Sequence, residues 1–206
     1  MKLFISFVLL LFFWNADAQE NSNSLLDRMS RNVAGSCATI DYTYTARVSG
    51  IDNIASGNLV TQDEKWVMVG NGVEMYCDGK SVWIVDPALK EVVIEPLQEL
   101  QETEFLTNPA MAFVNVHDKF SINTVNPSSD SKALIYSLVP KNGEMEFLNI
   151  ELYQDTALIR SMSFALKDGT LVTIKVSSMK LTPKISDETF KPQTVFDSNW
   201  IVTDLR

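Results

Sequence analysis

Histidine is almost missing from this chain: among 206 residues there is one, His117. With a single imidazole and two cysteines, Cys37 and Cys77, there is no His/Cys cluster to hold zinc, and neither thiol has a histidine near it in sequence to activate it. No Gly-x-Ser-x-Gly elbow occurs either. His117, in Val116-His117-Asp118, reads as a helix-end residue meeting the local dipole. Carboxylates are plentiful, but Glu99, Glu102 and Glu104 crowd one segment in the manner of a solvated face. The inventory therefore argues against an enzyme, and no cofactor or metal is expected.

Positive charge is also scarce. Seventeen Lys and Arg stand against 26 Asp and Glu, a formal net charge of −9. That balance excludes the usual nucleic-acid binders and surfaces that adhere to anionic headgroups. Long apolar runs are absent except for Leu3 to Trp14, which is too short to span a bilayer. Lys2 precedes it and Ala16-Asp17-Ala18 follows, so residues 1–18 are expected to be a secretory signal cleaved after Ala18. No Cys lies near that point to accept lipid, so the mature chain is expected to start at Gln19 as an exported protein. In an oxidising compartment a Cys37–Cys77 disulfide could persist, but sequence cannot fix the pairing, and two buried thiols fit equally well.

What is present is strand and turn chemistry. Ser24 with Asp27, then Leu25, Leu26, Met29 and Val33 on one helical face, and Gly35 at the cap position, predict a short docked helix. Beyond Gly35 the period drops to two: Ile40, Tyr42, Tyr44, Ala46 and Val48 alternate with polar residues, as in a half-buried strand. Gly50 to Asn53 is expected to close a hairpin into a strand over Leu59 to Gly70. Asn71-Gly72 leads into Val73 to Cys77, Asp78-Gly79 turns into Ser81 to Asp86, and Asp86-Pro87 turns again into a strand over Lys90 to Ile94. From Leu97 to Val116 the pattern reads as two short helices, the second, after Asn108-Pro109, apolar on nearly every side. Strands resume over Phe120 to Val125, Ala133 to Val139, Glu146 to Tyr153, Leu158 to Leu166 and Leu171 to Leu181. Short connections at this spacing describe an up-and-down meander long enough to curl.

These pieces, in this order, resemble the outer-membrane lipoprotein carrier protein family (LolA). The resemblance rests on the starting helix, Gly57-Asn58-Leu59, Asp78-Gly79-Lys80-Ser81-Val82-Trp83 with Asp86-Pro87, and the apolar Pro109 to Val116 insert. It continues through Leu138-Val139-Pro140-Lys141, the Lys167-Asp168-Gly169 hairpin and Asp187-Glu188-Thr189-Phe190-Lys191-Pro192. It implies a mainly β fold with a few helices: an open, incompletely closed antiparallel barrel with a helical lid over an apolar cavity. It also implies one domain over residues 19–206 and a periplasmic carrier. Such a carrier takes lipoprotein acyl chains from an inner-membrane ABC transporter donor to an outer-membrane acceptor. One departure stands out. Where well-known members hold an arginine before a proline, this chain reads Thr61-Gln62-Asp63-Glu64-Lys65-Trp66.

The need for a carrier is physical. Each acyl CH₂ left in water costs about 0.8 kcal/mol, so free lipid anchors are not tolerated in solution. Met and aromatic side chains repack around unlike shapes, and Met68, Met75, Met111, Met145, Met162 and Met179 fall in sheet or lid segments. The candidate cavity and lid residues are Trp66, Met68, Trp83, Leu97, Leu100, Met111 and Phe113. A monomer is expected. The competing readings are a binding protein for another lipid and a non-enzymatic carbohydrate- or surface-binding β module, in which Trp66 or Trp200 would stack on sugars.

Overall fold

Helix α1 docks by the stripe that its sequence carries. In the computed structural model, which describes residues 25–97, 116–143 and 145–206, residues 25–34 are helical, and Leu25, Leu26, Met29 and Val33 are all buried. Gly35 ends the helix without entering the left-handed region. Its N–H still reaches the Arg31 carbonyl at 3.0 Å, and a Cβ there would sit 3.3 Å from that oxygen.

Twelve strands follow in one sheet: β1 (Cys37–Val48), β2 (Ile51–Gln62), β3 (Lys65–Gly70), β4 (Val73–Cys77), β5 (Ser81–Asp86) and β6 (Glu91–Pro96). After a four-residue helix α2 (Val116–Lys119), which contains His117, come β7 (Phe120–Pro127), β8 (Ala133–Pro140), β9 (Met145–Tyr153), β10 (Ile159–Leu166) and β11 (Leu171–Thr182). A 3-10 turn (Asp187–Phe190) and β12 (Ile201–Asp204) complete the chain.

The order across the sheet is β12-β6-β5-β4-β3-β2-β1-β11-β10-β9-β8-β7. This corrects the expected single meander. Two meanders lie side by side, joined by antiparallel pairing of β1 with β11, so β7 sits at the far edge rather than beside β6. The sheet stays open, with β12 and β7 at its edges, and every pairing is antiparallel except β12 on β6. Of the expected architecture, the mainly β, open, antiparallel character is present, while the expected lid, Pro109 to Val116, lies outside the described residues except for Val116, which is buried at the start of α2. Among those described, no helix is long and apolar enough to cross a membrane.

Two boundaries differ from the sequence reading. The first hairpin turns at Ser49-Gly50, whose φ values of 52° and 81° suit the primed turn that right-twisted strands prefer, so β2 starts at Ile51. The expected strand over Leu59 to Gly70 is two strands, broken at Asp63-Glu64, where Asp63 takes φ 53°. Strand β12 was not expected at all. Its four side chains are exposed, so it carries no burial pattern to read.

Both cysteines are buried free thiols. Register explains why they do not meet. Ala38, Thr61, Trp66 and Cys77 form one rung across β1 to β4, which puts Cys37's neighbour about 14 Å, three strand spacings, from Cys77. A disulfide needs Cα atoms within about 7 Å.

Candidate functional site: an apolar pocket on the helix-bearing face

The registers assign each side chain to a face. Ile40 pairs with Leu59, Leu59 with Met68, Met68 with Met75, and Met75 with Ile84, so these five share one face. Across the other half of the sheet, Ile174, Met162, Ile150 and Tyr136 continue the same layer. Helix α1 covers one end of this face, where Leu26, Met29, Ile40, Leu59, Trp66, Ile150 and Leu152 form the main core. Toward the opposite end, beyond α1, the same layer continues through Phe164, Val172 and Ala46, all buried.

There the sheet holds a cavity of about 350 Å³, lined by Tyr42, Tyr44, Ala55, Ser56, Met68, Gly70, Asn71, Val73, Met75, Phe164 and Ile174. The lining comes from β1 to β4, β10 and β11 and contains no Lys, Arg, Asp, Glu or His. Tyr42 and Tyr44 have their hydroxyl pKa raised by burial, so they are neutral at physiological pH. The site therefore offers mainly apolar surface with a few neutral hydroxyl and amide groups. Gly57 shapes it. A Cβ on Gly57 would lie 2.7 Å from the Tyr42 hydroxyl and 2.8 Å from the Val69 carbonyl, so only glycine lets the Tyr42 ring lie across β2.

A second depression, about 430 Å³, lies between the end of α1 and the β2–β3 and β4–β5 turns. Although larger, it is lined by Asp63, Glu64, Lys65, Asp78 and Lys80 and opens to solvent. Ion pairs Lys184–Asp63 (2.7 Å) and Lys65–Asp187 (2.6 Å) tie its rim to the segment after β11. Lys65, in the stretch that departs from the family pattern, thus anchors β3 to the 3-10 turn.

The sequence-derived candidates divide. Met68 lines the pocket. Trp66 and Leu97 share its face but belong to the main core, with Trp66 fully buried and its Nε1 without a hydrogen-bond partner among the described residues. Trp83 lies on the other face: it pairs with Tyr76 and Ile94, and packs with Val85, Val92, Phe196 and Trp200. Leu100, Met111 and Phe113 lie outside the described residues. Tyr42, Tyr44, Val73, Met75, Phe164 and Ile174 were missed as site residues. The alternation of β1 pointed to both tyrosines, and the Asn71-Gly72 turn fixed Met68 opposite Met75. What sequence lacked was which end of the face α1 leaves open.

An open, largely antiparallel β-sheet with a charge-free apolar pocket on its helix-bearing face defines the structural class of this chain. Within that class, residues 70–193 match the family model for the outer membrane lipoprotein carrier protein LolA, and the chain belongs to this family. Among solved structures it is similar to an uncharacterized conserved protein from Thermus thermophilus, at 12% identity and TM-score 0.57, covering 89% of this chain and 98% of that one. It is also similar to a LolA superfamily protein from Nitrosomonas europaea, at 11% identity and TM-score 0.47, covering 82% and 97% of the two chains. No curated protein matches the sequence.

Proposed function

We propose that this protein is a non-enzymatic periplasmic carrier that shields lipoprotein acyl chains between an inner-membrane donor and an outer-membrane acceptor. The observation that carries the reading is the pocket of about 350 Å³ whose lining holds no charged side chain, on the face that α1 helps to cover. Family membership supports it, as does the physics of transport. Transient apolar ligands must be hidden without being gripped, and a half-exposed Met pair beside aromatic rings offers adaptable contact. The volume lies at the low end for ligand pockets, roughly 300–1,000 Å³, and it counts the described residues alone. It suits part of one acyl chain rather than a bulky headgroup.

The test is mass spectrometry of organic extracts from the purified protein, paired with incubation against membranes that hold newly made lipoproteins. Acyl chains in the extract and release of lipoproteins into solution are the expected results. Extracted sugars, or nothing extracted and nothing released, would sink the carrier reading. Acyl chains without lipoprotein release would leave a carrier of another lipid.

A further inference from the structure

Met68 and Met75 stand directly opposite each other on β3 and β4, on the same face of the sheet. Directly paired residues place their Cβ atoms about 5 Å apart, so the two thioethers are neighbours. Both side chains are partly exposed and both line the apolar pocket. Met29 and Met162, by contrast, are sealed in the core at 0% and 2% exposure. Oxidants in solution therefore reach the pocket pair, along with the similarly part-exposed Met145 and Met179 outside the pocket, and not the core pair. The lining around them has no charged group and few side-chain donors, namely the hydroxyls of Tyr42 and Tyr44 and the Asn71 amide, since the Ser56 hydroxyl meets Thr43 on the other face.

From this placement we infer that Met68 and Met75 form a paired oxidation site, through which peroxides close the pocket to apolar ligands. In each step a thioether sulfur attacks the distal oxygen of hydrogen peroxide. The O–O bond breaks, an S–O bond forms, the sulfur is oxidised by two electrons to the sulfoxide, and the remaining oxygen leaves as water after proton transfer. The product is a polar side chain of nearly unchanged length. Two sulfoxide dipoles in the floor demand hydrogen bonds that an acyl chain cannot give, so they favour water over lipid. Both side chains pack against the border of the core as well as lining the pocket, so oxidation should cost the fold some stability, less than oxidation of the sealed Met29 or Met162 would. The step is reversible, since methionine sulfoxide reductases restore the thioether. The effect on binding rests on the function proposed above; the selectivity of oxidation does not.

The protein is treated with hydrogen peroxide, mapped by peptide mass spectrometry, and assayed for uptake of a fluorescent fatty acid. Met68 and Met75 should gain oxygen well before Met29 and Met162. Uptake should fall roughly tenfold per sulfoxide, the factor for one unmatched polar group in an apolar site. Reductase treatment should restore it. The Met68→Leu/Met75→Leu variant, whatever its own level of uptake, should lose none of that uptake to peroxide. Oxidation of the core methionines at the same rate would overturn the assignment, as would full oxidation of the pair with undiminished uptake. Loss of uptake in the peroxide-treated leucine variant would equally move the effect elsewhere. If untreated protein takes up no fatty acid, the carrier reading fails by itself, and the closing of the pocket with it. The order of oxidation in the peptide map then decides whether the pair is an oxidation site.

Discussion

At the scale of single residues, Gly57 is the position where the pocket and the backbone constrain each other. It pairs with Tyr42 on one side and Gly70 on the other, so the sheet is thin there on its helix-bearing face. A methyl group at 57 would meet both the Tyr42 hydroxyl at 2.7 Å and the Val69 carbonyl at 2.8 Å. The tyrosine can swing away, but the carbonyl belongs to the adjacent strand and cannot. Gly57→Ala is therefore expected to destabilise the protein by about 1–3 kcal/mol, the usual cost of overpacking. The displaced ring should also narrow the cavity. Urea denaturation reads the first effect and fatty-acid uptake the second. A variant as stable as the parent would show that β2 and β3 separate there at little cost. Elsewhere on the sheet, single residues perform structural work that mimics chemistry. Glu151 is drawn toward a higher pKa by burial, yet hydrogen bonds from Ser128, Ser161 and Arg160 outweigh that and hold it below the ordinary carboxylate value. Arg160 meets it at 2.6 Å and Ser161 at 2.7 Å, closing a polar ladder on the face away from the pocket.

At the scale of elements, the question is which face each strand presents, and here sequence and structure part in an instructive way. Strand existence was legible because turn residues punctuate the chain at Asn71-Gly72, Asp78-Gly79, Asp86-Pro87 and Gly169. Facing was harder, because four strands change parity along their length. In β11, Val172, Ile174 and Val176 share a face with Met179 and Leu181, since Ser177 is an extra residue opposite the Asp41–Tyr42 step. The same happens in β10, around Arg160, in β9, around Glu146, and in β7, around Asn123. Each bulge leaves a trace, a one-residue slip in the spacing of apolar residues, but only pairing shows that both halves point inward. Trp83 was misplaced for a different reason. Both faces of β5 are apolar, Val82 and Ile84 toward the main core, Trp83 and Val85 toward the tail residues Phe196 and Trp200. Alternation cannot choose between two buried faces. A comparison of substitutions tests the assignment. Trp83→Ala should lower stability by about 2 kcal/mol, less than a fully buried tryptophan would cost, and leave fatty-acid uptake intact. Met68→Glu should keep most of the stability, because its carboxylate can reach solvent through the pocket mouth, and should abolish uptake. If Trp83→Ala removed uptake as fully as Met68→Glu, the pocket would not be the binding surface.

At the scale of the whole molecule, stability against pH follows from protons that the fold holds tightly. Burial pushes the Tyr136 hydroxyl up to about 12, helped by the negative charge of Asp27 and opposed by Arg28. Burial also raises Tyr76 to about 12, with the hydrogen bond to Glu74 adding to it, and raises the Cys77 thiol to about 11. In the unfolded chain these groups release their protons near ordinary values, about 10 for tyrosine and 8.5 for cysteine. The folded protein thus binds more protons than the unfolded one across the alkaline range, and stability must fall as pH rises there. The contribution is complete below about pH 8.5 and drains away up to about 12. Each tenfold difference in proton affinity between the folded and unfolded chain is worth roughly 1.4 kcal/mol, so the two fully buried groups, Tyr136 and Cys77, remove several kcal/mol by the upper limit. Urea midpoints measured from pH 7 to 11 should therefore be flat at first and then decline steeply. Tyr136→Phe, which keeps the ring and deletes the titrating hydroxyl, should decline less steeply above pH 10 than the parent, whatever its stability at pH 7. Identical slopes for parent and variant would mean that Tyr136 ionises as freely in the fold as in water, and that the core beneath α1 is open to solvent.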